Sequence, residues 1–381
     1  MNHKYDFYAA FYIKEKEDVD NLTNGSGRYD ELRDILSRIM ILSTALGVKE
    51  KFDDRKGRPN EINPKDYARV GEGNHVSGLK ALTHTNGNFN EYIACKLSEL
   101  ALLGINAPIN VSILPIGSWV LEFPITLTKP FISKDDVPLY IIDNPIKKDK
   151  VFGVPFTSAM AWKGNLRWTM MKFHLESHIN EPNKFAEIRL KHTLLFGTEK
   201  GTEDVPKGWA KYLDKLCPNA RENYQDKLKK KFGRDDIPNL AGMLHFYPTF
   251  WDRIDMEVIN PHDRKTKTGK NPIYFEAVPE GSKGLFRLLY IPLHWTNLRD
   301  DEFKKMILQD LRDVVAGLKE MLLFYGFSAK KSIGYGVIED SFDKEVSTLA
   351  LKDFIRGTEK FGNLEELENK IESFVRGRDY E

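Results

Sequence analysis

Cysteine is nearly missing from this chain: Cys95 and Cys217 are the only two in 381 residues. That scarcity excludes a disulfide framework and a Cys-rich zinc site. An excess of either charge is also missing, because 57 basic and 56 acidic residues leave a net charge of +1. The total therefore neither indicates nor excludes a nucleic-acid partner, and local clustering has to decide. No apolar run has the length of a membrane span, and the N-terminal "MNHKYDFYAAFYIKEKEDVD" contains no signal-peptide apolar region. No membrane partner and a soluble, cytoplasmic protein are the expectation. P-loop, HExxH, GxSxG and dinucleotide fingerprints are absent, as are repeats and low-complexity tracts. What is present is 41% hydrophobic and 12% aromatic residues, enough for a sizeable core. The length suits two domains, or one core with large insertions.

Periodicity organises the chain. Tyr5, Phe7, Ala9, Phe11 and Ile13 alternate, which predicts a strand. Leu32, Ile35, Leu36, Ile39, Leu42 and Leu46 recur at helical spacing, with Gly47 as the stop. A polar, Gly- and Asn-rich stretch from Lys51 to Asn88 predicts a functional or mobile loop. Phe89, Ile93, Leu97 and Leu100 make a second helix, ended by Gly104. "SWVLEFPITLTKPF" from Ser118 predicts a strand, and "VFGVPFTSAMAWKGNLRWTMM" from Val151 a helix. In that helix Met160, Gly164, Trp168, Met171 and Leu175 fall within one arc, which predicts its buried stripe. Residues 178–240 predict an irregular, charged insertion. "GMLHFYPTFWDRIDMEVI" and "IYFEAVPEGSKGLFRLLYIPL" then predict strands, and Phe303, Met306, Ile307, Leu311, Val314, Leu318 and Leu322 a long helix. "SIGYGVIEDSF" predicts the last strand. The order β-α-β-β-α-β is that of a ferredoxin-like α+β core. The predicted layout is an N-terminal α/β extension over 1–110, the core over 111–345, and a helical tail over 346–381. The core carries an insertion at 178–240 and a protruding hairpin near 255–275.

Three basic clusters stand where an anion would be held. Thr157 or Ser158 can cap the helix, and Lys163 and Arg167, at i and i+4, share one flank. Together they would clamp a backbone phosphate without reading a base. "SAKKSIGYG" places Lys330 and Lys331 beside a Gly-x-Gly strand start. "IIDNPIKKDK" places Asp143 before an Asn-Pro turn and Lys147, Lys148 and Lys150 after it. Each segment also has a plain structural reading: a capped amphipathic helix with solvated cations, a helix-to-strand turn, and an Asx turn. The run "KLKKKFGR", Lys227 to Arg234, reads as a solvated helix face. "INPHDRKTKTGKNP" reads as a long hairpin, or as a catalytic loop around His262, Asp263 and Arg264.

The stretch "IIDNPIKKDKVFGVPFTSAMAWKGNLRW" resembles the ID-x-P…P-G-S-S-L-K-G-x-x-R region of the RAMP superfamily, the repeat-associated proteins of type III CRISPR effector complexes. "LLFG" at Leu194–Gly197, "GMLHFYPTFWD" and "YGFSAKKSIGYG" resemble the motifs that follow it, so the likeness runs from about Ser118 to Asp340. It implies a subunit that holds CRISPR RNA in a groove of an RRM-like fold, beside target RNA and other type III effector subunits of an antiviral ribonucleoprotein. Lys163 and Arg167 match the motif lysine and arginine. Asp143 matches the acid with which slicing members cut target RNA using Mg2+ or Mn2+, as metal-dependent endoribonucleases. Members that share the fold without cleaving imply a structural subunit as the alternative. A standalone endoribonuclease that processes guide precursors, with His245 or His262 as base, is a further one. The chain departs from the family in lacking the usual glycine of P-G-S-S-L-K-G and in a longer spacing to the lysine. Residues before about Asn110 match no part of the family pattern, which suggests an interaction module.

Overall fold

The computed structural model describes residues 6–52, 62–85, 87–199, 208–233, 239–261, 265, 268–269, 271–354 and 357–376. Its first part is helical: α1 (Phe7–Phe11), α2 (Lys16–Asn24), α3 (Ile35–Leu42), α4 (Pro64–Val70), α5 (Gly78–Lys80) and α6 (Asn88–Leu102). The predicted first strand is a correction. Asp6 accepts a hydrogen bond from the Ala9 amide and caps a short helix in which Phe7 and Phe11 pack ring to ring at 5.6 Å. Alternation over so few residues does not tell a strand from one apolar helical turn. The long polar loop is also corrected over the described residues, since α4 and α5 interrupt it and Tyr67, Leu79 and Leu82 are fully buried. Asn63 caps α4 by accepting from the Lys65 amide, and Pro64 supplies the preset first helical turn.

The chain then enters a sheet through β1 (Trp119–Thr126), makes the short β2 (Phe156–Thr157) and turns into α7 (Ala159–Met170). The expected irregular insertion is instead three helices, α8 (Pro182–Phe196), α9 (Gly208–Leu216) and α10 (Ala220–Phe232). They bury Phe185, Leu213, Tyr224 and Leu228 in a small core of their own with Leu175. Arg189 ties them together with ion pairs to Glu199 (2.8 Å) and Asp214 (2.6 Å). Next come β3 (Leu244–Phe246), β4 (Thr249–Phe250), the hairpin of β5 (Asp255–Ile259) and β6 (Ile273–Ala277), and β7 (Lys283–Tyr290). The long α11 (Asp300–Lys319), β8 (Thr348–Leu351), β9 (Thr358–Lys360) and α12 (Leu364–Val375) complete the described structure.

The main sheet has the order β3-β7-β1-β8-β9, and every pairing is antiparallel. β1 and β7 pair over their full length, from Trp119 opposite Tyr290 to Thr126 opposite Lys283. Strand pleat sends Trp119, Leu121, Phe123, Phe286, Leu288 and Tyr290 to one face, and all six are fully buried. α7 and α11 meet over that face. Trp162 lies edge-on to Phe286 at 5.1 Å, and Gly317 of α11 lies so close to α7 that a Cβ there would sit 2.6 Å from Met170. On the opposite face Arg287 holds residues 105–107 against the sheet, donating to the carbonyls of Ile105 (2.8 Å) and Ala107 (3.3 Å).

Two expectations at the C-terminal end are corrected. "SIGYGVIEDSF" is not a strand; only Ile338 bridges, to Leu127. Gly334 and Gly336 hold φ of 83° and 70°, and a Cβ on Gly336 would fall 2.5 Å from Ser328, so the segment is a tight loop. The strand beside β1 is β8, from the expected helical tail. The tail's helix, α12, does form, burying Leu364, Leu367, Ile371 and Phe374. Each of these side chains contributes about 1.5–3 kcal/mol of burial.

Candidate nucleic-acid interface

Two tryptophan–threonine pairs aim α7. Trp162 Nε1 donates to Thr249 Oγ1 (3.0 Å), and Trp251 Nε1 donates to Thr157 Oγ1 (3.1 Å). These reciprocal bonds lock the start of the helix onto β4, which also pairs with β2. Thr157 is consequently buried beneath Trp251, and its expected phosphate role is corrected. Ser158 is the cap, accepting from the Ala161 amide at 3.2 Å. The buried side of α7 is Trp162, Leu166, Thr169 and Met170. Met160 is 82% exposed and Gly164 is exposed, so the predicted stripe is corrected at its first positions: they form the outer ridge.

Lys163 and Arg167 do share a flank, but they differ. Lys163 is half-buried, and burial together with the neighbouring Arg167 charge lowers its pKa. Arg167 turns toward the helical insertion, where burial lowers its pKa against the opposing field of the Glu199 carboxylate. The open solvated flank expected for Arg167 is therefore corrected.

Across the ridge, the Gly-rich loop meets the other flank of the same helix. Lys331 Nζ donates to Asn165 Oδ1 at 2.5 Å and stands 4.5 Å above the Trp168 ring. Asn165 in turn donates to the carbonyls of Ala161 (2.8 Å) and Phe327 (3.3 Å), fastening the loop to the helix. Burial lowers the Lys331 pKa. Lys330, exposed and at φ 60°, reaches the other way, 5.2 Å from the Phe275 ring of β6. Tyr335 donates to Glu257 of β5 at 3.0 Å. The loop thus lies between α7 and the β5–β6 hairpin.

The segment before β2 divides by role. Lys147 is exposed, with its Nζ 5.9 Å from the Phe156 ring just before the Ser158 cap. Lys148 is corrected from a phosphate ligand to an internal counter-charge: it pairs with the fully buried Glu276, which also accepts from Tyr140 Oη and the Ile146 amide. Lys150 pairs with Asp135 at 2.9 Å. Asp143 is on the surface, its side chain 79% exposed and 3.4 Å from Arg69 Nη2. Arg69 also donates to the Ile141 carbonyl at 2.8 Å and faces Asp66 at 3.7 Å. Among the described residues no group of three or more His, Cys, Asp or Glu side chains stands ready for a metal ion. The donors around Asp143 therefore do not make an all-protein site for a divalent cation, and the charge facing the carboxylate is a guanidinium. His245 sits on β3 opposite Leu289, its Nε2 buried without a partner among the described residues, and burial lowers its pKa. His262, Asp263 and Arg264 lie outside the described residues.

The structure thus brings Lys147, the Ser158 cap, Lys163 and Lys331 to or around α7, turns Lys330 toward β6, buries Thr157 and engages Lys148 with Glu276. It adds Asn165, Trp168 and Tyr325, which the motif reading did not include. Trp168 and Tyr325 meet edge to face at 5.4 Å. A signal for Trp168 was present in its place within the lysine–arginine helix, but periodicity assigned it to the core.

The family model of the RAMP superfamily matches residues 70–339. The chain belongs to that superfamily. The match ends at the Gly-rich loop, as expected, but begins well before Ser118, so α6 and part of the region before it belong to the family pattern. Among solved structures, a chain of the type III-B Cmr-beta complex, determined by cryo-electron microscopy with cognate target RNA, is 13% identical with a TM-score of 0.36, over 90% of this chain and 97% of that one. Cmr6 from Pyrococcus furiosus is 16% identical with a TM-score of 0.28, over 59% of this chain and 99% of that one. At these scores the likeness carries no statement about function. No curated protein matches the chain. Among the described residues no helix is long and apolar enough to cross a membrane.

Proposed function

We propose that this chain is a CRISPR RNA-binding subunit of a type III antiviral effector complex, a cytoplasmic ribonucleoprotein. Its partners are guide RNA, target RNA and other effector subunits. The observation that carries the reading is the meeting of two basic segments, α7 and the Gly-rich loop: Lys331 bonds to Asn165 on one flank of α7, while Lys163 of the helix itself lies on the other. Cations flanking an exposed helix ridge, with a capped N-terminus beside Lys147, suit a backbone that is positioned and not read. The core fits a ferredoxin-like arrangement. β1, α7, β3, β7, α11 and β8 supply β-α-β-β-α-β in chain order, and the sheet order β3-β7-β1-β8 is the one that arrangement needs. The β5–β6 hairpin would serve as the protruding arm beside the groove.

Cleavage of target RNA belongs to this proposal only through Asp143, whose exposure leaves the carboxylate accessible. Mg2+ or Mn2+ there would draw one ligand from the protein and the rest from RNA phosphates and water. The structural-subunit reading needs no such site. The test of RNA binding is co-expression with the genomic neighbours. The purified assembly should carry guide-length RNA, and the affinity of re-bound guide should fall steeply with salt as counterions are released. An assembly free of RNA would refute the reading.

A further inference from the structure

The outer ridge of α7 is apolar where a solvated helix should be charged. Met160 is 82% exposed, Gly164 is exposed with nothing among the described residues within 4 Å of where a Cβ would stand, and the half-buried Trp168 follows one turn later. The indole is held in place, with Lys331 4.5 Å over its ring and Tyr325 meeting it at 85°. Beside Tyr325, Phe324 is 67% exposed and has no ring contact among the described residues. Two segments far apart in sequence thus bring aromatic surface and a cation to one place, next to a bare stretch of helix backbone.

We propose that this ridge is a nucleobase-stacking site: an unpaired base of single-stranded RNA lies against Trp168 and the Tyr325–Phe324 surface, and Lys331 meets its phosphate. The inference rests on the RNA-binding reading and deepens it from backbone to base. Charge complementarity selects the occupant. An apolar protein surface would gain nothing from an ammonium group at the centre of the contact, whereas a nucleotide offers a π-face and an anion to the same aromatic–lysine pair. The gap at Gly164 leaves room for a sugar or base to approach the helix closely.

The test uses the full chain and fluorescence anisotropy with a short single-stranded oligouridylate, and with the same oligomer made abasic. Wild-type protein should bind the intact oligomer roughly tenfold tighter than the abasic one, the range for one stacked base. Trp168→Leu should lose that preference with its salt dependence unchanged, and Trp168→Phe should keep most of it. Gly164→Ala should weaken binding of the intact oligomer without lowering the melting temperature, because the added methyl meets nothing among the described residues. Equal binding of intact and abasic RNA by the wild type, with normal salt dependence, overturns the stacking site and leaves the RNA-binding reading standing. It would instead point to a protein partner on the ridge. Absence of any salt-dependent RNA binding overturns both.

Discussion

Lys148 and Glu276 form an ion pair across 128 residues of chain, and the Glu276 carboxylate has no exposed surface. The pair joins the loop before β2 to strand β6, so the basic loop is fastened to the hairpin by the lysine that a motif reading would give to RNA. Lys148→Met should therefore act on stability. It leaves a buried carboxylate without its counter-charge, at a cost of about 3 kcal/mol, measurable as a lower urea midpoint. Affinity for guide RNA per folded molecule should hardly change. Unchanged stability with weakened RNA binding would return Lys148 to the interface.

Lys163 and Arg167 should separate under substitution although they are one helical turn apart. Lys163 has no ion-pair partner among the described residues, so Lys163→Ala should stay within about 0.5 kcal/mol of wild-type stability. It should weaken guide binding uniformly across sequences and reduce the salt slope by about one. Arg167 packs against the helical insertion, and Arg167→Ala should destabilise by about 1–2 kcal/mol through lost packing of its stem. Thermal melts beside salt-dependent binding isotherms distinguish the two.

His192 is buried with neither ring nitrogen partnered among the described residues, and burial, His174, Arg167 and Lys191 together push its pKa well below the ordinary histidine value. His174 is lowered by burial too, although the Asp313 carboxylate opposes the shift. The unfolded chain therefore binds more protons than the folded one in mild acid, so stability is present above the unfolded histidine pKa and is lost as pH falls below it. His192 alone should contribute a loss on the order of 1 kcal/mol between neutral pH and one unit below that pKa. His192→Phe should flatten this part of the stability–pH curve, and a curve identical to wild type would show that His192 does not couple to folding.

Asp143→Asn should leave the melting temperature and guide binding near wild type, since the side chain is exposed and its partner Arg69 keeps its bond to the Ile141 carbonyl. If the carboxylate supplies a metal ligand, the substituted complex should lose one cut at a fixed distance along a complementary target RNA in magnesium or manganese. Cuts made by other subunits should persist. A cleavage ladder unchanged by the substitution assigns Asp143 to holding Arg69.

By itself the sequence determined the elements whose signal is local. The apolar spacing of Phe89 to Leu100 and of Phe303 to Leu322 specified α6 and α11, the run from Trp119 specified β1, and the hydroxyl pair Thr157–Ser158 specified a helix start. These follow from backbone geometry and capping, which act within a few residues. The order of the basic motifs was legible for the same reason. Only the tertiary structure decided which side of α7 faces inward. That helix carries large apolar residues on two arcs, and the sheet chose Trp162, Leu166 and Met170 over Met160 and Trp168 because Phe286, Phe327 and Gly317 lie on that side. The sheet's last strand was likewise a matter of pairing: β1 took β8, while the glycines of the Ser328–Gly336 loop turned that segment against α7. Whether a lysine is a ligand or a counter-ion also depends on a distant partner. Lys148 meets a buried carboxylate and Lys147 does not, a difference that arises only when β6 packs beside their loop.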